Sequence, residues 1–216
     1  MKLTNVKTQL ILGLVLIGLC SCGDETPTTL PKLGFKKIVD GQEVSHQIPE
    51  WTLYNQDSVQ ITNKDLSDVV YVSDFFFRSC PTICPTVARE MKKVYTEYKD
   101  NPQVKFVSIT LDPKRDTPSK LKEYASNLGV DDRQWLFLWG DKDYIYDIVP
   151  EYLQVGYEDK EADGGINHSG KLILTDKEGY IRSFSEGTDP DETPKMIKDI
   201  ATLLKEYEDK SKSAKQ

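Results

Sequence analysis

Histidine is nearly absent from this chain, two in 216 residues, and cysteine is scarce, at four. So few cysteines exclude a disulfide framework as the main support of a domain this long. The one strongly apolar run, Leu10 to Leu19, falls short of the roughly 20 residues that a bilayer-spanning helix needs. Basic residues are in the minority, 28 against 35 acidic for a formal charge of −7. The footprint of a nucleic-acid binder is therefore missing. There is no internal repeat. With 38% hydrophobic residues, the chain is long enough for one well-cored domain and short for two.

Lys2 and Lys7 precede the apolar run, the layout of an export signal. The run ends in Leu19-Cys20-Ser21-Cys22-Gly23, which resembles a bacterial lipobox with cleavage before Cys22 and lipid on its sulfur. Cys20 fits the motif poorly, because Leu19 then stands where a small residue is needed; a plain signal or an uncleaved anchor is the alternative. On either reading the domain is exported; the lipoprotein reading also holds it at the cell membrane, facing the periplasm or extracytoplasmic space. The expected organisation is a signal peptide over 1–21, a tether over 22–33 that is polar and carries two prolines, a domain over 34–207 and a disordered tail over 208–216. Cys80 and Cys84 are then the only thiols of the folded domain.

Within the domain, strand and helix patterns alternate. Val69 to Phe77 is a β-branched and aromatic run suited to a strand buried on both faces. A helix begins near Pro85, with Val87, Met91, Val94, Tyr95 and Tyr98 on one stripe. Val104 to Leu111 is the next strand, and the short crossover predicts a parallel, right-handed unit. Thr117-Pro118 starts a helix that ends at Gly129; Trp135 to Trp139 is a third strand; a further helix is interrupted at Pro150. Lys171 to Phe184 reads as a hairpin turning at Asp176 to Gly179, and a last helix starts near Thr193-Pro194. The fold class is α/β, a sandwich of helices on a central sheet.

Asp74 is out of place in the first strand, because a buried carboxylate is costly unless paired or protonated. It is either a functional group or a residue near the strand's exposed end. Cys80 and Cys84 stand four apart, each followed by proline. On a helix or a tight turn that spacing brings two sulfurs together. Pro85 predicts Cys84 at the helix N-cap, where free amides favour thiolate. The pair is a structural disulfide, a redox pair or part of a soft-metal site.

The blocks DFFFRSCPTICP, LDPKRDTP and INHSGKLILTDKEG resemble, in order, the three signature blocks of the Sco/SenC proteins. The resemblance covers roughly Trp51 to Tyr207. It implies a thioredoxin-like three-layer sandwich with a central mixed sheet and a C-terminal hairpin plus helix. It further implies a copper chaperone serving cytochrome c oxidase, with Cu(I) or Cu(II) held by Cys80, Cys84 and His168. The implied partners are a copper-receiving subunit of that oxidase and an upstream copper donor or thiol reductant. His46 is left without a role. Two departures from the family pattern, Asn167 and Arg78, bear on tuning, Arg78 as a cation expected to favour the Cys80 thiolate. In LDPKRDTP, Asp116 or Thr117 is expected to cap the following helix, while Lys114 and Arg115 are a weaker candidate for a docking rim.

A thiol-disulfide oxidoreductase is the reading from a different class. Asp74 supports it, since its spacing to Cys80 resembles that of the buried, proton-accepting aspartate of thioredoxins. Thioredoxins use a CxxC spacing and a cis-proline where His168 stands, and a catalytic disulfide has no need of that histidine. A zinc site would want a fourth protein ligand, and none is obvious.

Overall fold

The computed structural model describes residues 29–214. The apolar run and Cys22 lie outside the described residues. The strands are β1 (Lys36–Val39), β2 (Gln42–Ser45), β3 (Thr52–Tyr54), β4 (Gln60–Thr62), β5 (Val70–Phe76), β6 (Val104–Thr110), β7 (Trp135–Leu138), β8 (Gly156–Glu158), β9 (Ile166–His168), β10 (Lys171–Thr175) and β11 (Ile181–Glu186). The helices are α1 (Cys84–Tyr98), α2 (Pro118–Leu128), α3 (Lys142–Ile148) and α4 (Thr193–Ser213).

Five strands form the central sheet in the order β11-β10-β5-β6-β7. β5, β6 and β7 are parallel, β10 runs antiparallel to β5, and β11 antiparallel to β10, so the sheet is mixed. Every residue of β5 is buried, as its unbroken apolar run requires. Right-handed crossovers that step outward from β5 to β7 must leave both their helices on one face. Accordingly Phe76 and Phe137 meet Tyr124 of α2, and Phe106 and Trp135 meet Tyr95 of α1. α4 joins the same face, where the Tyr98 hydroxyl donates to the Ile197 carbonyl at 2.7 Å. On the opposite face Phe75 and Tyr71 pack on Tyr152, whose hydroxyl also accepts from Trp51 Nε1 at 2.8 Å. Tyr152 belongs to the 3-10 turn that continues α3 past Ile148, because Pro150 has no amide to extend an α-helix.

The structure departs from expectation in three places. α1 takes Cys84 as its first residue and Ile83 as N-cap, since Ile83 already has helical backbone angles. Residues 208–213 are not tail but the last turns of α4, which meets no glycine or proline to stop it. The end of the supposed tether is part of the domain. Leu30 is buried, and the Leu33 amide donates to the Ile181 carbonyl at 2.8 Å. The incoming chain thereby covers the edge beside β11. The clamp is Arg182, whose Nη1 donates to Asp176 at 2.9 Å and Nη2 to Glu206 at 2.7 Å. The same guanidinium binds the Leu30 and Pro31 carbonyls, and the Leu30 amide donates to Glu206. His46 is buried nearby, with Nε2 at 2.8 Å from the Glu151 carbonyl.

Arg182→Ala should therefore strand Asp176 and Glu206 as buried charges, at a cost of about 3–5 kcal/mol. A urea melt would show it as a lowered midpoint; an unchanged midpoint would mean that the fork is dispensable.

Candidate metal centre

β5 delivers the chain to the sheet's carboxyl edge, where α/β folds place their sites. A turn closed by the Cys80 amide donating to the Phe77 carbonyl at 3.1 Å leads from there into α1. Cys80 thus sits just before the helix and Cys84 inside its first turn, both buried and both free thiols. From the far side comes β9, paired with β8 so that His168 opposes Gly156. The chain then passes Gly170 into β10, and Gly187 returns beside it from β11. A Cβ on Gly187 would lie 2.6 Å from the Gly170 carbonyl oxygen and 3.0 Å from Val87 of α1. Only glycine permits this approach.

Nε2 of His168 lies 3.3 Å from the Cys84 sulfur and 3.8 Å from the Cys80 sulfur. Nδ1 is 3.2 Å from the Ser169 carbonyl. A carbonyl only accepts, so Nδ1 carries the proton and the Nε2 lone pair faces the thiols. Phe77 packs edge-on against the ring at 5.4 Å. All three ligand atoms lie within 4.8 Å of one another. Metal–ligand bonds of roughly 2.0–2.3 Å place trigonal donors about 3.5–4 Å apart, so this set needs little movement to close on one ion. Two thiolates and an imidazole suit a soft ion, copper(I) above all.

The two thiols differ. Burial works against the Cys80 thiolate, but the contact with His168 and hydrogen bonds from the Cys84 and Thr82 amides outweigh it and hold this thiol at about 6. Cys84 is pushed well above the ordinary thiol range by burial, with the Cys80 and Asp74 charges adding and the Phe77 hydrogen bond only partly offsetting. Asp74 is buried beneath the pair and not at an exposed strand end. Burial raises its carboxyl to about 6 against the opposing bond from Ser108, which donates at 2.5 Å and itself accepts from Trp135 Nε1 at 2.9 Å.

Arg78 does not act as expected. Its guanidinium turns to Glu123 at 3.8 Å, and its backbone amide donates to Asp116 at 3.0 Å. Asp116 also accepts from Thr110 at 2.8 Å; it is no helix cap but a buried clamp on the loop that carries Cys80, a role without a sequence signal. Thr117 occupies the N-cap of α2, although its side chain makes no capping bond. Arg115 pairs with Asp112 and reaches the Gly164 carbonyl at 3.3 Å, so it braces the site's rim. Asn167 donates to the Tyr157 hydroxyl at 2.9 Å.

The arrangement defines a class: a thioredoxin-like domain in which a histidine ahead of the C-terminal hairpin completes the dithiol of the first long helix. The SCO1/SenC family profile matches residues 39–205, and the chain belongs to that family. It is 25% identical over 197 residues to the SCO1 protein homolog of Bacillus subtilis (strain 168), covering 89% of this chain and 95% of the relative. A SCO1/SenC family lipoprotein from Bacillus anthracis superposes with a TM-score of 0.67 at 27% identity, over 73% of this chain and 95% of its own. BsSco, a member of the Sco family of cytochrome c oxidase assembly proteins with an identified disulfide switch, gives 0.64 at 25% identity over 73% and 93%. Copper-bound ScoI of Bradyrhizobium japonicum gives 0.60 at 26% identity over 72% and 98%.

Alkylation of Cys80 by iodoacetamide should rise through about pH 6. The ordinary thiol value is about 8.5, and His168→Ala should move the rise upward toward it. The matching stability contribution is fully present above the unfolded thiol value and is lost as pH falls through about 6. Asp74, raised to about 6, runs oppositely: its contribution is present below the unfolded carboxyl value and lost as pH rises through about 6. Alkylation of the wild type only near the ordinary thiol value would contradict this electrostatic picture.

Proposed function

We propose that the protein is a membrane-anchored copper metallochaperone that carries copper as cargo on Cys80, Cys84 and His168 for the copper centre of cytochrome c oxidase. The observation that carries this reading is the convergence of two sulfurs and one imidazole nitrogen, with the far nitrogen already tied to Ser169. Two thiolates favour Cu(I), and the imidazole lets the same set hold Cu(II). Three donors leave a position open through which a receiving subunit's ligand can enter as this site's ligands leave. The copper-bound Bradyrhizobium protein and the oxidase-assembly role of BsSco's family support the cargo and its destination. An upstream copper donor would load the site, or a thiol reductant would keep the pair in the dithiol form that binds the metal.

A second reading, thiol-disulfide oxidoreductase toward a copper-receiving protein, is favoured by one observation, the unequal thiols above buried Asp74. Cys80 thiolate would attack a partner disulfide and release one partner sulfur as thiolate; Cys84, its proton passing to Asp74, would then attack the Cys80 sulfur and release the second, both partner thiolates taking protons from water. The protein's dithiol is oxidised as the partner's disulfide is reduced.

His168→Ala separates the two. Cu(I) should remain bound between two thiolates, whereas the Cu(II) thiolate-to-metal charge-transfer band should weaken or vanish. Oxidation to the disulfide should abolish Cu(I) uptake. Unaltered Cu(II) spectra in folded His168→Ala, with slowed thiol exchange in Asp74→Ala, would transfer the assignment to the redox reading.

Anchoring is proposed through lipid on Cys22 as the mature N-terminus, on the strength of the lipobox-like stretch and the lipoprotein among the structural relatives. Mass spectrometry of the mature protein should find Cys22 first and acylated; an intact Met1 or a bare Cys22 would refute it.

A further inference from the structure

The end of the domain farthest from the thiols has an unpartnered apolar projection. β10 pairs with β5 so that Thr175 opposes Tyr71, which places the Asp176–Gly179 turn beside the start of β5, whereas Cys80 follows its end. The length of β5 separates the two poles, about 20 Å at the usual rise of a strand. At the lower pole the Leu33 amide meets the Ile181 carbonyl and the Ile48 amide meets the Gly179 carbonyl at 2.9 Å. Between these two pins the chain leaves the body as the β1–β2 hairpin. Its tight turn has Asp40 and Gly41 at φ of 51° and 77°, the left-handed pair that a two-residue hairpin loop favours.

All eight strand residues of the hairpin are exposed. Ile38 is 71% and Val39 51% exposed beside the turn, on opposite faces of the ribbon; Val44 shares the face of Val39, and Phe35 is exposed just before β1. An isolated two-stranded hairpin is marginal in water, and a cluster of exposed apolar side chains marks a surface that something covers. Two further observations say what. Cys22 precedes Thr29 by seven residues. Even a fully extended chain of that length spans only about 25 Å, so a lipid on Cys22 stays near the point where the chain joins the domain. Residues 32–46 also carry Lys32, Lys36 and Lys37 against Asp40 and Glu43, a positive excess in a chain of net −7.

We infer that the β1–β2 hairpin seats in the phospholipid headgroup layer, with Ile38 and Val39 in the acyl boundary and lysines on the phosphates. The hairpin and the Arg182 clamp together then hold the Cys80–Cys84–His168 pole away from the membrane, toward an acceptor standing above the lipid surface. The inference rests on the membrane-anchored reading above.

The test uses the full chain with its anchor, reconstituted in vesicles of phosphatidylcholine and phosphatidylglycerol. Ile38→Trp replaces an exposed side chain, and Tyr157→Trp is the control at the site pole. After subtraction of wild-type emission, the tryptophan of Ile38→Trp should be blue-shifted by vesicles and quenched by lipids brominated in their acyl chains, while that of Tyr157→Trp should be unaffected. Quenching should weaken without phosphatidylglycerol. Co-flotation with vesicles but no quenching overturns the hairpin's role, as does equal quenching of both variants or a shift that appears only with an added protein. Failure to float overturns the anchor itself, a different result from flotation without quenching.

Discussion

The site depends on one close approach, Val87 in the first turn of α1 against Gly170 and Gly187, which brings Cys84 and His168 together across 84 positions of sequence. Gly170 and Gly187 remove the side chains that would hold these elements apart. The pairing of β10 with β5 then sets the height of His168 relative to the end of β5. A one-residue slip in that pairing would reverse the faces of β10 and move the imidazole along the strand axis, away from the two thiols.

Around that contact the electrostatics divide the pair. Cys80 stands where amides and an imidazole reach its sulfur, and Cys84 stands over a buried carboxyl. A thiol held low beside one held high suits ordered exchange, whether the incoming group is a metal ion or a sulfur. Trp135 and Ser108 hold Asp74 from below, so the site's lower wall is a hydrogen-bonded column rooted in three strands.

The opposite pole is built around Arg182, which joins the incoming chain, the hairpin turn and α4 in one buried fork. Its position relative to the thiols follows from strand direction: β5 starts at this pole and ends at the other. The fold thereby separates the end that receives the chain from the end that carries the dithiol and His168.

Much of the architecture was legible in local pattern. The unbroken run of β5, the apolar stripes of α1 and α4 and the turn at Asp176 to Gly179 follow from periodicity and turn chemistry, which act over a few residues. The reactive pair was equally plain, because Cys80 and Cys84 lie within one turn of each other. His168 was legible only through a family likeness, since no local rule says which distant loop faces a helix. Asp74 was ambiguous because a strand buried on both faces has no polar side to betray it. Asp116 and Arg182 were invisible as clamps, and the docking of Leu30 was hidden in a stretch of tether-like composition. The chain by itself thus determined the elements and the two sulfurs; the placement of His168 beside them, the unequal thiols and the two poles were decided by tertiary structure, because they depend on strand register and on which distant side chains share a buried space.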